Sequence, residues 1–452
     1  MRSGIMAPTM PASRVQIMLQ VQLYPPSHFW TNDGSRIGHS ALDQGRRPLH
    51  RWAMRRGAIL LAIGALLVSG MQYARAGALT SCSFDEPGAT VQVQFADDEA
   101  ATLSRSGEAI ALDGSPCQTA TVSNTDTIDV FGALGAESLT IDLGGGPLAP
   151  GVTDEGDGSS EIEIVTGHLA TFPETLTIQG GPSNDVFVFE REPQPSDAAV
   201  NLNGDETDPD SDIVFSSVSV DVILRGGAGD DELSNADVPA LELQGEDGND
   251  TIKSLGLIDN LVAGGPGSDT LDLSAVPELE IFADMSWPLL IVDGDHMISM
   301  TAIEHLIGGP GPDTLIGSEG DDILEGGEGG DVITGLGGND VLDGGGQFGD
   351  GGYDEVHFDD APGPVTIDVG AGTAIGDGSD AISGFEVVQG SGFDDRFIGA
   401  PGLDGFYGLD GADTIDYRTS SKGVKADLSV GVEGTEHGDF FDSVERAIGT
   451  HF

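Results

Sequence analysis

Histidine, cysteine and basic residues, which supply many enzyme active sites, are scarce in this sequence. Its 452 residues include nine histidines, two cysteines and 18 lysines and arginines. The histidines beyond residue 76 are scattered without ligand spacing, and neither an H-E-x-x-H nor a G-x-S-x-G motif occurs. These absences argue against a zinc protease and against a serine hydrolase of the elbow type. The sequence predicts a protein that is not an enzyme.

Basic residues are few after the first 76 residues. From Gly77 onward, nine basic residues face 74 acidic ones. Such a surface repels phosphate, so it excludes a nucleic-acid partner and direct binding to an anionic membrane. The same charge opposes compaction of the chain unless cations neutralise it.

Long hydrophobic runs are also rare, and the one that stands out lies at residues 57–71. The basic stretch Met54–Arg56 precedes it and Ala74-Arg75-Ala76 follows it. This order of basic, apolar and A-x-A segments predicts a secretory signal cleaved near Ala76, and the run is short for a membrane span. We therefore expect residues 1–76 to be a leader with its true start at Met54, and the remainder to be extracellular. The alternatives are an uncleaved anchor and a cell-surface location.

The two cysteines, Cys82 and Cys117, lie shortly after this leader. In an exported protein such a pair is expected to form one disulfide. The alternative is that Leu79–Cys82 is a lipobox, in which case Cys82 would carry a lipid anchor.

Glycine, by contrast, is abundant, with 69 residues, and residues 308–343 show why. They read GGPGPDTLI, GSEGDDILE, GGEGGDVIT and GLGGNDVLD, four nonapeptide units in unbroken register. Each glycine-rich half suits a tight turn and each apolar triplet suits a short strand. Two units would complete one coil, so every turn would stack on the turn two units away. This predicts that Asp313 lies beside Asp331, and Asp322 beside Asp340.

Stacked aspartates repel each other unless a cation lies between them. Two facing turns would offer carboxylate and carbonyl oxygens in the number that Ca²⁺ takes, about 6–8. Zinc fits poorly without Cys or His, and magnesium prefers to keep its waters. The units resemble the RTX nonapeptide repeat, GGxGxDxUx, with departures at Ser318 and Leu336. The resemblance implies an all-β parallel roll, or β-solenoid, that binds several calcium ions.

Weaker versions of the unit extend this prediction in both directions. Upstream, successive sixth-position aspartates are separated by two nonapeptides plus one residue, which predicts one column on a single side of the roll; they are Asp231, Asp250 and Asp269. Downstream, the pattern resumes at Gly349 and places four more candidate ligands, which are Asp354, Asp395, Asp404 and Asp413.

A longer duplication relates the segment that begins at Asp354 to the one that begins at Asp413. Its copies contain Glu386 and Glu445, and a third, slightly longer copy contains Glu304. These glutamates could be calcium ligands. The interpretation we favour is structural, with each carboxylate accepting hydrogen bonds from neighbouring backbone N–H groups.

The segments after the leader divide by pattern into a β-rich cap at 77–179, a degenerate roll at 180–307, a regular roll at 308–358 and the longer repeat at 359–452. We expect an exported calcium-binding protein with a structural or interaction role and an unknown cell-surface or matrix partner. The alternatives are a secreted hydrolase, with its catalytic part in residues 77–225, and a cell-surface adhesin.

Overall fold

The computed structural model describes residues 80–449, except for 133–136, 150, 152–161, 167–174, 192–197, 203–211, 216–219, 236–241, 255–260, 293, 295, 346–351, 400–404, 421–424, 429–430 and 434–439. The predicted leader lies outside the described residues. Described secondary structure is β-strand throughout, apart from one 3-10 turn at Glu86–Gly88. Within these ranges, no helix is long and apolar enough to cross a membrane. The predicted all-β class is confirmed.

Thirty-eight short strands make up the described fold. The first twelve are β1 (Ser81–Asp85), β2 (Thr90–Gln94), β3 (Ala100–Ser106), β4 (Ala109–Leu112), β5 (Ser115–Thr121), β6 (Thr127–Phe131), β7 (Ser138–Asp142), β8 (Glu163–Thr166), β9 (Thr175–Gln179), β10 (Val186–Arg191), β11 (Ala198–Asn201) and β12 (Ile213–Phe215). The next fifteen are β13 (Asp221–Ala228), β14 (Glu232–Asn235), β15 (Glu242–Asp247), β16 (Thr251–Ser254), β17 (Leu261–Ala263), β18 (Thr270–Asp272), β19 (Ile281–Asp284), β20 (Leu289–Val292), β21 (His296–Thr301), β22 (His305–Ile307), β23 (Thr314–Ile316), β24 (Ile323–Glu325), β25 (Val332–Thr334), β26 (Val341–Asp343) and β27 (Glu355–His357). The last eleven are β28 (Thr366–Asp368), β29 (Thr373–Ile375), β30 (Ser379–Ser383), β31 (Val387–Gln389), β32 (Arg396–Ile398), β33 (Gly405–Tyr407), β34 (Thr414–Asp416), β35 (Lys425–Asp427), β36 (Gly431–Glu433), β37 (Phe440–Asp442) and β38 (Arg446–Ile448).

Most of these strands form two long, mostly parallel sheets, and in the regular region successive strands belong alternately to one sheet and the other. Strands β14, β16, β18, β22, β24 and β26 pair in this order in sheet 1. Strands β23, β25 and β27 pair in sheet 2. One coil therefore consists of one strand in each sheet and two turns. The pairing of Leu324 with Leu342 confirms that a regular coil spans two units, and that of Leu233 with Ile252 confirms the upstream coil that is one residue longer.

The interior between the sheets is a thin apolar layer supplied by the middle residue of each strand. In the regular region these middle residues are completely buried; they are Leu315, Leu324, Ile333 and Leu342. Each contributes roughly 1.5–3 kcal/mol by burial of its side chain. Three-residue strands cannot bury more than this alone, so stability depends on stacking many coils.

Glycine is required in the turns because stacked turns come too close for a side chain. Gly327 has a φ of 108°, and a Cβ on it would lie 2.5 Å from the carbonyl oxygen of Gly309. Gly329 has a φ of 141°, and its Cβ would lie 2.5 Å from the carbonyl oxygen of Gly311. Leu336, where the unit departs from glycine, adopts the same left-handed region with a φ of 65°.

The region for which a cap is predicted, residues 77–179, is continuous with the roll. Strands β2, β6 and β8 pair in parallel in sheet 1, and β3, β7 and β9 pair in parallel in sheet 2. Strand β9 then pairs in parallel with β13, so the strand pairing of sheet 2 continues past residue 179. Only β1, β4 and β5 run antiparallel at this end of the described chain. The disulfide between Cys82 and Cys117 joins β1 to β5, which leaves Cys82 no thiol for a lipid anchor.

Three-stranded antiparallel insertions interrupt the parallel coils. Sheet 2 has the order β17–β21–β20–β19–β23. The last inserted strand, β21, pairs with the preceding coil at β17, and the first, β19, pairs with the following coil at β23. Sheet 1 has the same arrangement at β26–β30–β29–β28–β32. These two insertions precede Glu304 and Glu386, which are equivalent residues of the longer duplication. A further insertion, at β8–β12–β11–β10–β14, was not predicted.

Candidate metal centre

The aspartates of neighbouring turns are joined by hydrogen bonds that run along the roll. The backbone N–H of Asp313 donates to Oδ1 of Asp331, with 2.8 Å between N and O. The N–H of Asp322 donates to Oδ1 of Asp340 at 2.9 Å. The two predicted pairs are therefore in direct contact. We call each such series of carboxylates a ladder.

The upstream aspartates form ladder 1. The N–H of Asp231 donates to Oδ1 of Asp250, and that of Asp250 to Oδ1 of Asp269, both at 2.8 Å. The structure thus brings together the three residues predicted to share one column. It adds Asp185 at the start, whose N–H donates to Asp231 at 2.7 Å. The sequence signal for Asp185 was the weak unit Gly180–Asp185.

Three more ladders hold the remaining described candidates. Ladder 2 contains Asp313, Asp331 and Asp354, and ladder 3 contains Asp322, Asp340 and Asp380. Ladder 4 contains Asp395 and Asp413. Asp380 was not predicted, and Asp404 lies outside the described residues.

The turn that carries Asp354 corrects one detail of the predicted register. The pattern seemed to resume at Gly349, but the glycine in first position is Gly344. A Cβ on Gly344 would lie 2.7 Å from Cβ of Asp354, as a Cβ on Gly326 would lie 2.9 Å from Cβ of Asp331. The step from first glycine to aspartate is therefore ten positions here, against five from Gly326 to Asp331, and β27 still pairs in parallel with β25.

Glutamates end three of the four ladders. Oε2 of Glu304 accepts the N–H of Asp269 at 2.9 Å, Oε2 of Glu386 that of Asp354 at 3.0 Å, and Oε2 of Glu445 that of Asp413 at 2.8 Å. Each therefore accepts the backbone hydrogen bond that the structural interpretation predicts, in the place that the aspartate of a next turn takes elsewhere in the ladders.

The second oxygen of many ladder aspartates is buried without a partner. Among the described residues, Oδ2 lacks a hydrogen-bond donor and is shielded from solvent in Asp231, Asp250, Asp269, Asp340 and Asp413. These side chains are at most 2% exposed. A buried carboxylate oxygen without a donor is costly, so each is a place where a cation would be favourable.

The first turn of a ladder differs from the turns stacked on it. In Asp313, Oδ2 accepts the N–H of Gly309, and in Asp322 it accepts the N–H of Ser318, both at 2.6 Å. Asp395 makes the same bond with Ser391. The aspartate of a first turn therefore satisfies its second oxygen within its own turn.

Burial makes the ionised ladder carboxylates unfavourable. It raises the pKa of Asp231, Asp269 and Asp413 to about 6. It raises the pKa of Asp313 and Asp340 to about 7. The charged neighbours of Asp340 are other carboxylates, which raise its pKa further.

Asp416 shows the opposite case, since it is equally buried but is paired with arginine. Arg418 and Arg396 hydrogen-bond its carboxylate, and the pKa of Asp416 is lowered, chiefly by Arg418. A nearby positive charge thus keeps a buried carboxylate ionised at Asp416, and a bound cation would do the same for the ladder carboxylates.

The donors around these oxygens suit calcium. A Cβ on Gly226 would lie 2.3 Å from Oδ2 of Asp231 and 2.6 Å from the carbonyl oxygen of Gly245. A carboxylate oxygen and a carbonyl oxygen therefore lie close to the same point beside Gly226. No group of three or more His, Cys, Asp or Glu side chains suited to a metal occurs within the described ranges. A ligand set of carboxylate and carbonyl oxygens, as at Gly226, suits Ca²⁺ and not structural Zn²⁺.

The raised pKa values give the stability of the metal-free roll a predictable dependence on pH. The folded roll binds protons that the unfolded chain, with ordinary aspartate pKa values, has released, so its stability falls as pH rises from about 4 to 7. We expect the chain in a calcium chelator to have more β structure at pH 5.5, where part of these carboxylates is protonated, than at pH 8. Circular dichroism of the metal-free chain at both pH values measures this. Equal spectra, or more β structure at pH 8, would contradict it.

Comparison with known proteins identifies the repeat. The model of the RTX calcium-binding nonapeptide repeat family (four copies) matches residues 301–333, 317–354 and 380–415. These segments contain most of ladders 2 to 4, whereas ladder 1 lies upstream of them. No curated protein matches the chain. The chain therefore contains RTX calcium-binding nonapeptide repeats, and they form part of a parallel β-roll.

Proposed function

We propose that this chain is an exported protein whose β-roll folds outside the cytoplasm when calcium enters its ladders, and which then has a structural or interaction role. The observation that carries the proposal is the set of buried Oδ2 atoms without donors between stacked RTX turns. The proposed calcium ligands are Asp231, Asp250, Asp269, Asp313, Asp322, Asp331, Asp340, Asp354, Asp395, Asp404 and Asp413.

The charge of the chain supports folding outside the cytoplasm. The excess of acids over bases beyond residue 76 opposes compaction, and calcium ions inside the roll remove part of that repulsion. Free calcium in the cytosol is too low to fill sites of the weaker extracellular grade, which bind at roughly 10⁻⁴–10⁻³ M. A chain of this kind would remain unfolded until it left the cell.

A structural or interaction role is also supported by the apolar side chains that occupy the interior of the roll. Residues 77–225, where a catalytic part was the alternative, place apolar side chains such as Phe95, Leu103 and Ile128 in the interior. The described part of this region continues the same coil. We therefore infer a non-enzymatic role, with a rigid acidic surface presented to a partner.

Export is tested by following the full chain, with a C-terminal tag, in a bacterium that has the general secretory pathway. We expect it outside the cytoplasm with a new N-terminus at Gly77, by cell fractionation and mass spectrometry. A control with Leu60→Arg and Leu61→Arg interrupts the apolar run and should retain the chain inside. Equal distribution of the two chains, or an uncleaved leader, would overturn the proposal. Recovery in the cell-surface fraction instead of the medium would identify a surface protein.

A further inference from the structure

The insertion β28–β30 lies where ladder 3 would be expected to end. In a regular coil, the turn stacked on Gly335–Asp340 would be reached from sheet 2. Here the next strand of sheet 1 is β30, which the chain enters from its antiparallel neighbour β29. The residues from this turn into the start of β30, 376–380, which we call the hairpin turn, read Gly-Asp-Gly-Ser-Asp, and Ile375 stands where the usual first glycine would be.

This turn nevertheless occupies the position of a stacked RTX turn. Gly378 forms a parallel bridge with Gly338. A Cβ on Gly378 would lie 1.5 Å from the carbonyl oxygen of Gly338, just as a Cβ on Gly338 would lie 2.2 Å from that of Gly320. The spacing between the turns is thus as close as in the regular roll.

The strand that follows repeats the regular hydrogen bonding. The N–H of Ala381 donates to the carbonyl oxygen of Asp340 at 2.8 Å. The N–H of Val341 donates to that of Asp322 at 2.9 Å in the regular step before it. The hairpin therefore enters sheet 1 in the register of a normal coil.

The carboxylates of Asp340 and Asp380 are both buried at this step. Asp380 is 3% exposed, and its Oδ1 accepts the N–H of Asp340 at 3.1 Å. Asp340 is 1% exposed, and its Oδ2 has no donor among the described residues. A buried oxygen without a donor beside a second buried carboxylate is the arrangement that a hard cation satisfies.

We propose that the hairpin turn 376–380 provides a further calcium site, in which the carboxylates of Asp340 and Asp380 and the carbonyl oxygens of the two turns hold one ion. The site lies outside the nonapeptide register and rests on the proposed calcium-binding function. Its consequence is that an ion fastens the insertion to the roll, so that ladder 3 continues across it.

Asp380→Asn is the variant that separates a ligand from a structural residue. Asparagine keeps an oxygen to accept the N–H of Asp340, so the backbone contact survives, whereas the negative charge is lost. Asp368→Asn is the matched control, because Asp368 belongs to the same insertion, in β28, and its Oδ1 accepts a local N–H, that of Ala371, at 2.9 Å.

The measurement is the number of calcium ions on the purified full chain, by native mass spectrometry, at the calcium concentration that just saturates the unaltered protein. We expect one ion fewer for Asp380→Asn, or a loss of at least tenfold in the affinity of one ion, and no change for Asp368→Asn. A full count on Asp380→Asn would overturn the hairpin site while leaving calcium binding intact. An unaltered chain that binds no calcium would overturn the proposed function itself.

Discussion

In a calcium chelator at pH 7.5, the chain from Gly77 will show the circular dichroism of a disordered protein, and millimolar calcium will convert it to β structure. The chain carries 74 acidic residues against nine basic ones over this range. Without ions, folding would bring ladder carboxylates together in a dry interior, where both desolvation and mutual repulsion are unfavourable. The thin apolar layer of three-residue strands cannot offset this alone.

Calcium changes the balance at every step of a ladder at once. An ion that binds only the folded chain stabilises it by about 1.4 kcal/mol when its concentration is ten times its Kd. Several such ions together would be comparable to the whole stability of an ordinary domain, roughly 5–15 kcal/mol. Because each coil buries its apolar residues only against its neighbours, we expect the transition to be steep in calcium concentration.

Two controls separate calcium binding in the ladders from general effects of divalent charge and ionic strength. Magnesium at the same concentration should induce less β structure, because it keeps its waters and requires octahedral geometry. Sodium chloride of equal ionic strength screens the acidic surface but does not enter the ladders. Identical spectra in chelator and in calcium would rule out folding on calcium.

The regular part of the fold is predictable from sequence because the residue types repeat with the period of the coil. Glycine marks each turn, aspartate follows at a fixed position, and an aliphatic residue such as Ile333 marks the centre of each strand. Even the longer steps of ladder 1 follow from the spacing of Asp231 and Asp250. The backbone hydrogen bonds of Glu304, Glu386 and Glu445 follow the same logic, because each glutamate recurs at the same place in a longer repeat.

The N-terminal coils were less predictable because the Gly–Asp nonapeptide does not recur in them at a regular spacing. Strands such as β2, β3, β8 and β9 alternate buried positions with more exposed ones, as strands of many other β folds do. Their parallel pairing depends on contacts between segments that are distant in the sequence, such as Val91 with Ile128. No local pattern encodes such a contact.

Asp185 and Asp380 were missed for a different reason. Each occupies the sixth position of a turn, but Asp185 follows Pro182-Ser183-Asn184 and Asp380 follows an antiparallel strand. What places them in ladders is the neighbouring turn, which donates or accepts the hydrogen bond. Tertiary stacking therefore selects ladder members that the nonapeptide consensus does not contain.

Asp331→Ala is expected to weaken calcium binding more than any substitution of a surface acid. Asp331 lies in the middle of ladder 2 and is completely buried. Its Oδ1 accepts the N–H of Asp313 at 2.8 Å, and its own N–H donates to Asp354 at 2.9 Å. Alanine removes a carboxylate shared by the steps on either side and leaves the buried N–H of Asp313 without an acceptor, which costs about 1–3 kcal/mol.

The effect should appear as a calcium midpoint at least tenfold higher and a shallower titration, because the ladder is divided into two shorter segments. Asp359→Ala provides the control, since Asp359 is exposed and carries the same charge. Asp331→Asn adds a second comparison: it restores the acceptor for Asp313 but not the charge. If the ladder acts through its ions, Asp331→Asn will resemble Asp331→Ala in midpoint. If it acts only through its hydrogen bonds, Asp331→Asn will resemble the unaltered chain. Equal midpoints for Asp331→Ala and Asp359→Ala would show that Asp331 is no more important than any surface carboxylate.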